Sequence, residues 1–167
     1  MEVTAEQVKA LRERTGAGIM DCRRALVDAA GDMGRAEQLL AERGIERAEK
    51  KSSREARQGL IEAYIHAGGR VAAMVELNCE TDFVARNPQF RELAHEIAMQ
   101  VAAMNPTRVD REPSEADGQS AGDETPLLDQ TYIRDSSKTI RDLIKQNIAG
   151  FGENIVVRRF ARFELGG

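Results

Sequence analysis

Val71-Ala72-Ala73-Met74-Val75-Glu76-Leu77 runs without interruption into Asn78-Cys79-Glu80-Thr81-Asp82-Phe83-Val84-Ala85-Arg86-Asn87, and the reading of this stretch decides the fold. Its first half is an apolar run of strand length, buried or half-buried. Asn87-Pro88 then marks a turn followed by a helix start. Between the two, an acid stands beside a phenylalanine just where the chain leaves a sheet. An aromatic there either folds back into the core or projects as an anchor for a partner.

Upstream, Leu60-Ile61-Glu62-Ala63-Tyr64-Ile65-His66 is strand-like, and Ala67-Gly68-Gly69 is a turn of the hairpin kind. The two runs are expected to pair antiparallel, with Gly59 breaking the helical pattern before them. Downstream, Phe90, Leu93, Ala94, Ile97, Ala98, Val101 and Ala102 recur at three- and four-residue spacing. That is an amphipathic helix long enough to cover one face of the sheet. Because this helix has an apolar face of its own, the core has no obvious need of Phe83. His66, at a strand end beside the turn, has the position of a lone histidine, more often a surface or structurally satisfied residue than a ligand. Glu76, Glu80 and Asp82 invite a metal or acid–base reading, but no second cluster of His or Asp completes a ligand set.

The chain before the sheet is helical. Thr4 and Gln7 form a capping-box pattern, and the helix they open carries Val8 and Leu11 and stops at Gly16. A second helix places Ile19, Cys22, Leu26 and Ala29 at helical spacing and ends at Gly31. Asp32 is the expected N-cap of a third, carrying Met33, Ala36, Leu39 and Leu40 inward and stopping at Gly44. Residues 1–45 are thus a small three-helix bundle, near the lower limit for independent stability and suited to binding another protein. Residues 46–57 mix both signs of charge and read as a solvated connecting helix. The remainder, 58–167, is an α+β core.

Within that core, Asn105 to Gln130 carries seven acids against two arginines, with Pro106, Pro113 and Pro126. Residues 105–126 are expected to form a mobile acidic loop. Asp135-Ser136-Ser137 offers caps for a helix bearing Ile140, Leu143, Ile144 and Ile148. Gly152-Glu153-Asn154 turns the chain into a closing strand, with Val157, Arg159, Ala161 and Phe163 on one side and Arg158, Phe160, Arg162 and Glu164 on the other. This strand completes a three-stranded antiparallel sheet with helices packed on one face, an α+β fold.

Composition narrows the function classes. A chain of 167 residues buries roughly 70% of its unfolded surface and needs no metal or disulfide staple. Two distant cysteines exclude a disulfide framework and a cysteine-rich zinc site, and suit a reducing compartment. A net charge of −4, 4% aromatics and no Trp argue against a nucleic-acid surface. No apolar run approaches the ~20 residues of a membrane span, and no secretory signal is recognisable, so a cytoplasmic location is expected.

The residues above resemble one family along nearly the whole chain: bacterial translation elongation factor Ts, the guanine-nucleotide exchange factor for elongation factor Tu. Leu11 to Cys22 (LRERTGAGIMDC) looks like its amino-terminal signature, Asn78 to Asn87 (NCETDFVARN) like its second, and Gly152 to Phe160 (GENIVVRRF) like its third. Three motifs in the right order are highly specific. The resemblance implies that the bundle is the family's ubiquitin-associated-like (UBA-like) domain, with Arg12, Ile19 and Met20 contacting the partner's GTPase domain. It also implies that Thr81, Asp82, Phe83 and Val84 disturb the partner's Mg²⁺ site, Phe83 as a wedge, with Arg86 and Asn87 beside them in the contact. No covalent chemistry and no cofactor follow from it.

The family's longer members carry two copies of the core unit, and this chain carries one. A histidine of their second copy approaches the partner's phosphate loop, and His66 is the matching type here. One molecule is not expected to supply both Phe83 and His66 to one partner, so 58–167 is read also as a dimerisation domain of a homodimer. The competing reading is a UBA-like binding module fused to an α+β RNA-binding platform, supported by Arg158, Arg159 and Arg162. A hydrolase is weaker still.

Overall fold

Three strands form one antiparallel sheet: β1 (Gln58–Ile65), β2 (Val71–Cys79) and a closing strand, β5 (Val156–Glu164), in the order β1-β2-β5. The structure, a computed structural model, describes residues 3–112 and 125–167. Those residues bear out the expected α+β class. They divide into two compact units, Met1–Ser53 with Lys145–Glu153, and Arg54–Ile144 with Asn154–Gly167.

The first unit contains α1 (Ala5–Thr15), α2 (Ile19–Asp28) and α3 (Met33–Lys51). Thr4 and Gln7 form the complete capping box, and Asp32 Oδ1 accepts from the Arg35 N–H at 2.7 Å. Val8, Leu11, Cys22, Ala25, Leu26 and Ala36 make the bundle core, with Met33, Leu39 and Leu40 partly buried against it. Arg47 holds Asp21 through two 2.8 Å hydrogen bonds, which lower the Asp21 carboxyl below its ordinary range.

Here α3 departs from the sequence reading. It does not stop at Gly44 but continues to Lys51. Gly44 is a packing residue: a Cβ there would stand 3.2 Å from the Ala149 Cβ. The charged stretch beyond it is helical only to Lys51, and residues 54–57 are in neither helix nor strand. Ser52 Oγ donates to the Glu49 carbonyl, which closes the helix.

In the second unit, α5 (Pro88–Met104) lies on one face of the sheet. Phe90, Leu93, Ala94, Ile97, Ala98 and Val101 are buried together with Ala73, Val75, Leu77 and Val157 from the strands. Gly59 shows how tight the β1–β2 pairing is. It pairs with Asn78 at φ 148°, and a Cβ would come within 2.0 Å of the Leu77 carbonyl oxygen. The opposite face is open, exposing Ile61, Ile65, Met74 and Phe163.

Two further expectations are corrected. The alternation assigned to the closing strand does not run unbroken, because Glu76 pairs with Arg159 and Leu77 with Val157. Arg158 is therefore a bulge residue, which flips the following side chains to the other face. Phe160 and Arg162 are half-buried, and Ala161 and Phe163 are exposed. Asp135-Ser136-Ser137 does not cap a helix either. It belongs to β4 (Asp135–Thr139), which pairs with β3 (Thr131–Tyr132), and α6 (Ile140–Phe151) begins after it. Asp142 accepts from the Thr139 N–H and hydroxyl, at 2.9 and 2.8 Å, and fixes that start.

Gln100, fully buried in α5, ties the β3–β4 hairpin down by bonding Gln130, the Thr131 carbonyl and the Ile133 N–H. Burial and a hydrogen bond to Glu96 push the Tyr132 hydroxyl up to about 12. Of the acidic loop expected at 105–126, residues 113–124 lie outside the described residues. Its first described residues meet the turn that follows it: Leu127 and Leu128 N–H donate to the Arg108 and Val109 carbonyls, both at 3.0 Å.

Because both the positive φ and the 2.0 Å approach forbid a side chain, Gly59→Ala is expected to destabilise the fold by about 2 kcal/mol or more. Chemical denaturation followed by circular dichroism measures this; a wild-type midpoint would contradict the register described here.

Candidate functional site

The chain leaves β2 through a single helical turn, α4 (Asp82–Ala85). Thr81 is its N-cap, its Oγ1 accepting from the Val84 N–H at 3.4 Å. Asn87 then caps α5, its Oδ1 accepting from the Gln89 N–H at 2.9 Å, with Pro88 at the first helical position, where its missing N–H costs nothing. Two caps six residues apart leave a short, sharply folded segment. In one helical turn neighbouring side chains point in different directions, and here the outcome is clear. Val84 is 6% exposed and packs inward, whereas Phe83 is 84% exposed.

Thr81 and Asp82 are exposed beside Phe83. Asp82 Oδ2 lies 3.0 Å from Arg86, both side chains largely in water. Such a pair is worth a few tenths of a kcal/mol at most, so either partner is readily given up. Beneath the turn, the buried Cys79 Sγ lies 3.1 Å from the Thr81 carbonyl oxygen. Glu80 Oε1 accepts the Asn154 N–H at 2.7 Å, and Asn154 Nδ2 donates to the Arg54 carbonyl at 2.7 Å. Spacing gave no sign of these contacts: Glu80 and Asn154 stand 74 positions apart, and only the sheet brings them together.

Thr81, Asp82, Phe83, Val84, Arg86 and Asn87 thus lie together on one continuous turn between β2 and α5. His66 is not part of it. It is exposed at the opposite end of β1, its Nδ1 2.9 Å from the Tyr64 hydroxyl. Gln58 pairs with Cys79 at the Phe83 end and Ile65 with Ala72 at the His66 end, so the two ends lie about 25 Å apart at ~3.3 Å per residue. Arg12, Ile19 and Met20 belong to the other unit. All three are exposed, Ile19 by 56% and Met20 by 64%. Among the described residues no group of three His, Cys, Asp or Glu is placed to hold a metal, and no helix is long and apolar enough to cross a membrane.

The basic strand is largely engaged within the molecule. Arg159 Nε donates to Glu76 at 2.7 Å and, as the chief cause, lowers that carboxyl's pKa. Arg162 Nε donates to the Ala102 carbonyl at 3.0 Å and Nη1 to Glu164 at 2.8 Å.

The family model described as Elongation factor TS matches residues 42–118. Over almost its full length the chain is similar to elongation factor Ts of Caldanaerobacter subterraneus, 46% identical over 194 positions covering 98% of this chain and 97% of that protein. Elongation factor Ts of Coprothermobacter proteolyticus is 47% identical, covering 99% and 100%, and the chloroplastic elongation factor Ts of Guillardia theta 47%, covering 99% and 90%. These alignments are longer than the chain, so the relatives hold inserted residues that it lacks. A bundle of helices ahead of an α+β core, with an exposed aromatic at the sheet exit, is in this company an elongation factor of protein biosynthesis. The chain belongs to the elongation factor Ts family.

If Phe83 is a surface group and Val84 its anchor, the two respond oppositely to truncation. Phe83→Ala is expected to leave Tm within about 1 °C of wild type, while Val84→Ala costs about 2 kcal/mol and lowers Tm by about 5 °C. Thermal melts of the two variants check this; a large fall for Phe83→Ala would make it a core residue.

Proposed function

We propose that this chain is the guanine-nucleotide exchange factor for elongation factor Tu, acting by contact in the cytoplasm during translation elongation. The observation that carries the reading is Phe83, an aromatic 84% in solvent on a turn fixed from below by Val84. Exposing so large an apolar side chain forgoes its burial, worth roughly 1.5–3 kcal/mol, and a partner that covers it recovers that energy. Arg12, Ile19 and Met20 dock the helical unit on the partner's GTPase domain. Thr81, Asp82, Phe83 and Val84 then act at its Mg²⁺ site, with Arg86 and Asn87 flanking them. Phe83 enters between partner elements while Asp82, released from Arg86, draws on one of them.

Mg²⁺ demands nearly ideal octahedral geometry, so a small displacement of its ligands weakens it sharply. GDP loses affinity with it. By linkage the factor weakens GDP binding by the same factor as GDP weakens binding of the exchange factor. The engaged state of Arg159 and Arg162 favours this reading over an RNA platform.

The working form is a homodimer. The open sheet face supports this, with Ile65, Ala72 and Phe163 in one row across the strands and Ala63, Met74 and Ala161 in the next. So does the separation of His66 from Phe83, which puts the two at opposite ends of the β1–β2 pair and lets a partner meet one from each protomer.

Stopped-flow release of a fluorescent GDP from elongation factor Tu tests the activity. Wild type is expected to accelerate release by orders of magnitude and Phe83→Ala to lose most of that; no acceleration by wild type would refute the reading. For the assembly, sedimentation is expected to give a dimer that Met74→Glu converts to a monomer. A fully active wild-type monomer would remove the dimer from the mechanism.

A further inference from the structure

The contacts below the Phe83 turn go beyond what the sheet requires. Pairing of Gln58 with Cys79 and of Asn78 with Val156 already closes this end of the strands. Past the last paired residue, Glu80 adds a joint. Its Oε1 accepts the Asn154 N–H at 2.7 Å and lies 3.7 Å from Arg54 Nη1. Asn154, only 2% exposed, spends its side-chain amide on the Arg54 carbonyl. The joint therefore gathers the exit of β2, the approach to β5 and the approach to β1 at one point. Glu80 is the residue before the N-cap of α4, and Phe83 is three residues further on.

We infer that Glu80 and Asn154 are positioning residues for Phe83, holding the turn so that the exposed ring meets its partner in one orientation. The inference rests on the exchange reading above. An exposed anchor on a loose turn must be ordered at the moment of binding, and that loss of freedom is subtracted from whatever the contact supplies. A turn clamped by a carboxylate that binds a backbone N–H from a distant segment is ordered beforehand. The charge-assisted hydrogen bond at 2.7 Å is of the strong kind, and a mispositioning of about 1 Å at an acting group is enough to cost large factors in rate.

A double-mutant cycle on GDP release from elongation factor Tu at saturating factor tests this. Glu80→Ala is expected to slow release about tenfold, the size of one lost hydrogen bond to a charged group. Glu80→Gln, which keeps an acceptor oxygen for the Asn154 N–H, is expected to recover most of the rate. In the Phe83→Ala background, Glu80→Ala is expected to have no further effect, because there is no ring left to position.

An equal loss in both backgrounds would mark Glu80 as a general structural residue and overturn the inference, as would a wild-type rate for Glu80→Ala. Either result leaves the role of Phe83 intact. A wild-type rate for Phe83→Ala alone would instead remove the wedge, and the inference with it. Should Glu80→Ala fail to fold, Asn154→Ser, which is too short to reach the Arg54 carbonyl, carries the same cycle with the same two outcomes.

Discussion

Strand β2 is the member on which the α+β unit leans. It is central in the sheet, pairs along its length with both neighbours, and sends Ala73, Val75 and Leu77 into the face that α5 covers. Burial of Val75 and Leu77 alone is worth roughly 1.5–3 kcal/mol each. Its carboxyl end delivers the chain into the Phe83 turn, so the strand that organises the core also sets where the ring stands. Its length fixes the distance of about 25 Å between the Phe83 end and the His66 end. The open side of the sheet carries two rows, Ile65, Ala72 and Phe163 in one and Ala63, Met74 and Ala161 in the next.

What the sequence made legible follows from how local each signal is. The Thr4–Gln7 box, the Asp32 cap, the Gly68-Gly69 hairpin and the seven-position apolar face of α5 all depend on residues within a turn or two, and the structure contains each of them. The errors share the opposite cause. Gly44 looks like a helix stop until Ala149 is seen beside it. Asp135-Ser136-Ser137 looks like a cap until β3 pairs with it. The Arg158 bulge is invisible without the register of β2. In each case a residue's local preference was overruled by a neighbour distant in sequence.

The site was legible to the same degree. An acid beside a phenylalanine at a strand exit could be located, and its two readings stated, from sequence. Periodicity favoured an outward Phe83, and the exposure of its side chain over a buried Val84 agrees. The joint of Glu80, Asn154 and Arg54 had no local signature, because a carboxylate after a strand has many uses and its partner here is a backbone N–H far along the chain. The functional picture is thus a rigid sheet end, a single helical turn and one exposed ring. On the proposed exchange reading, such a site acts by displacing groups of its partner.

The central claim is that the ring acts on the partner's metal site, and the dependence of GDP release on free Mg²⁺ addresses it most directly. With Mg²⁺ chelated, release from elongation factor Tu alone is expected to be fast, because the ion whose ligands the ring would displace is already gone. The acceleration by the wild-type factor should then shrink, and the wild-type and Phe83→Ala rates should converge. An acceleration that stays the same from millimolar Mg²⁺ to full chelation, with Phe83→Ala equally deficient throughout, would contradict the account.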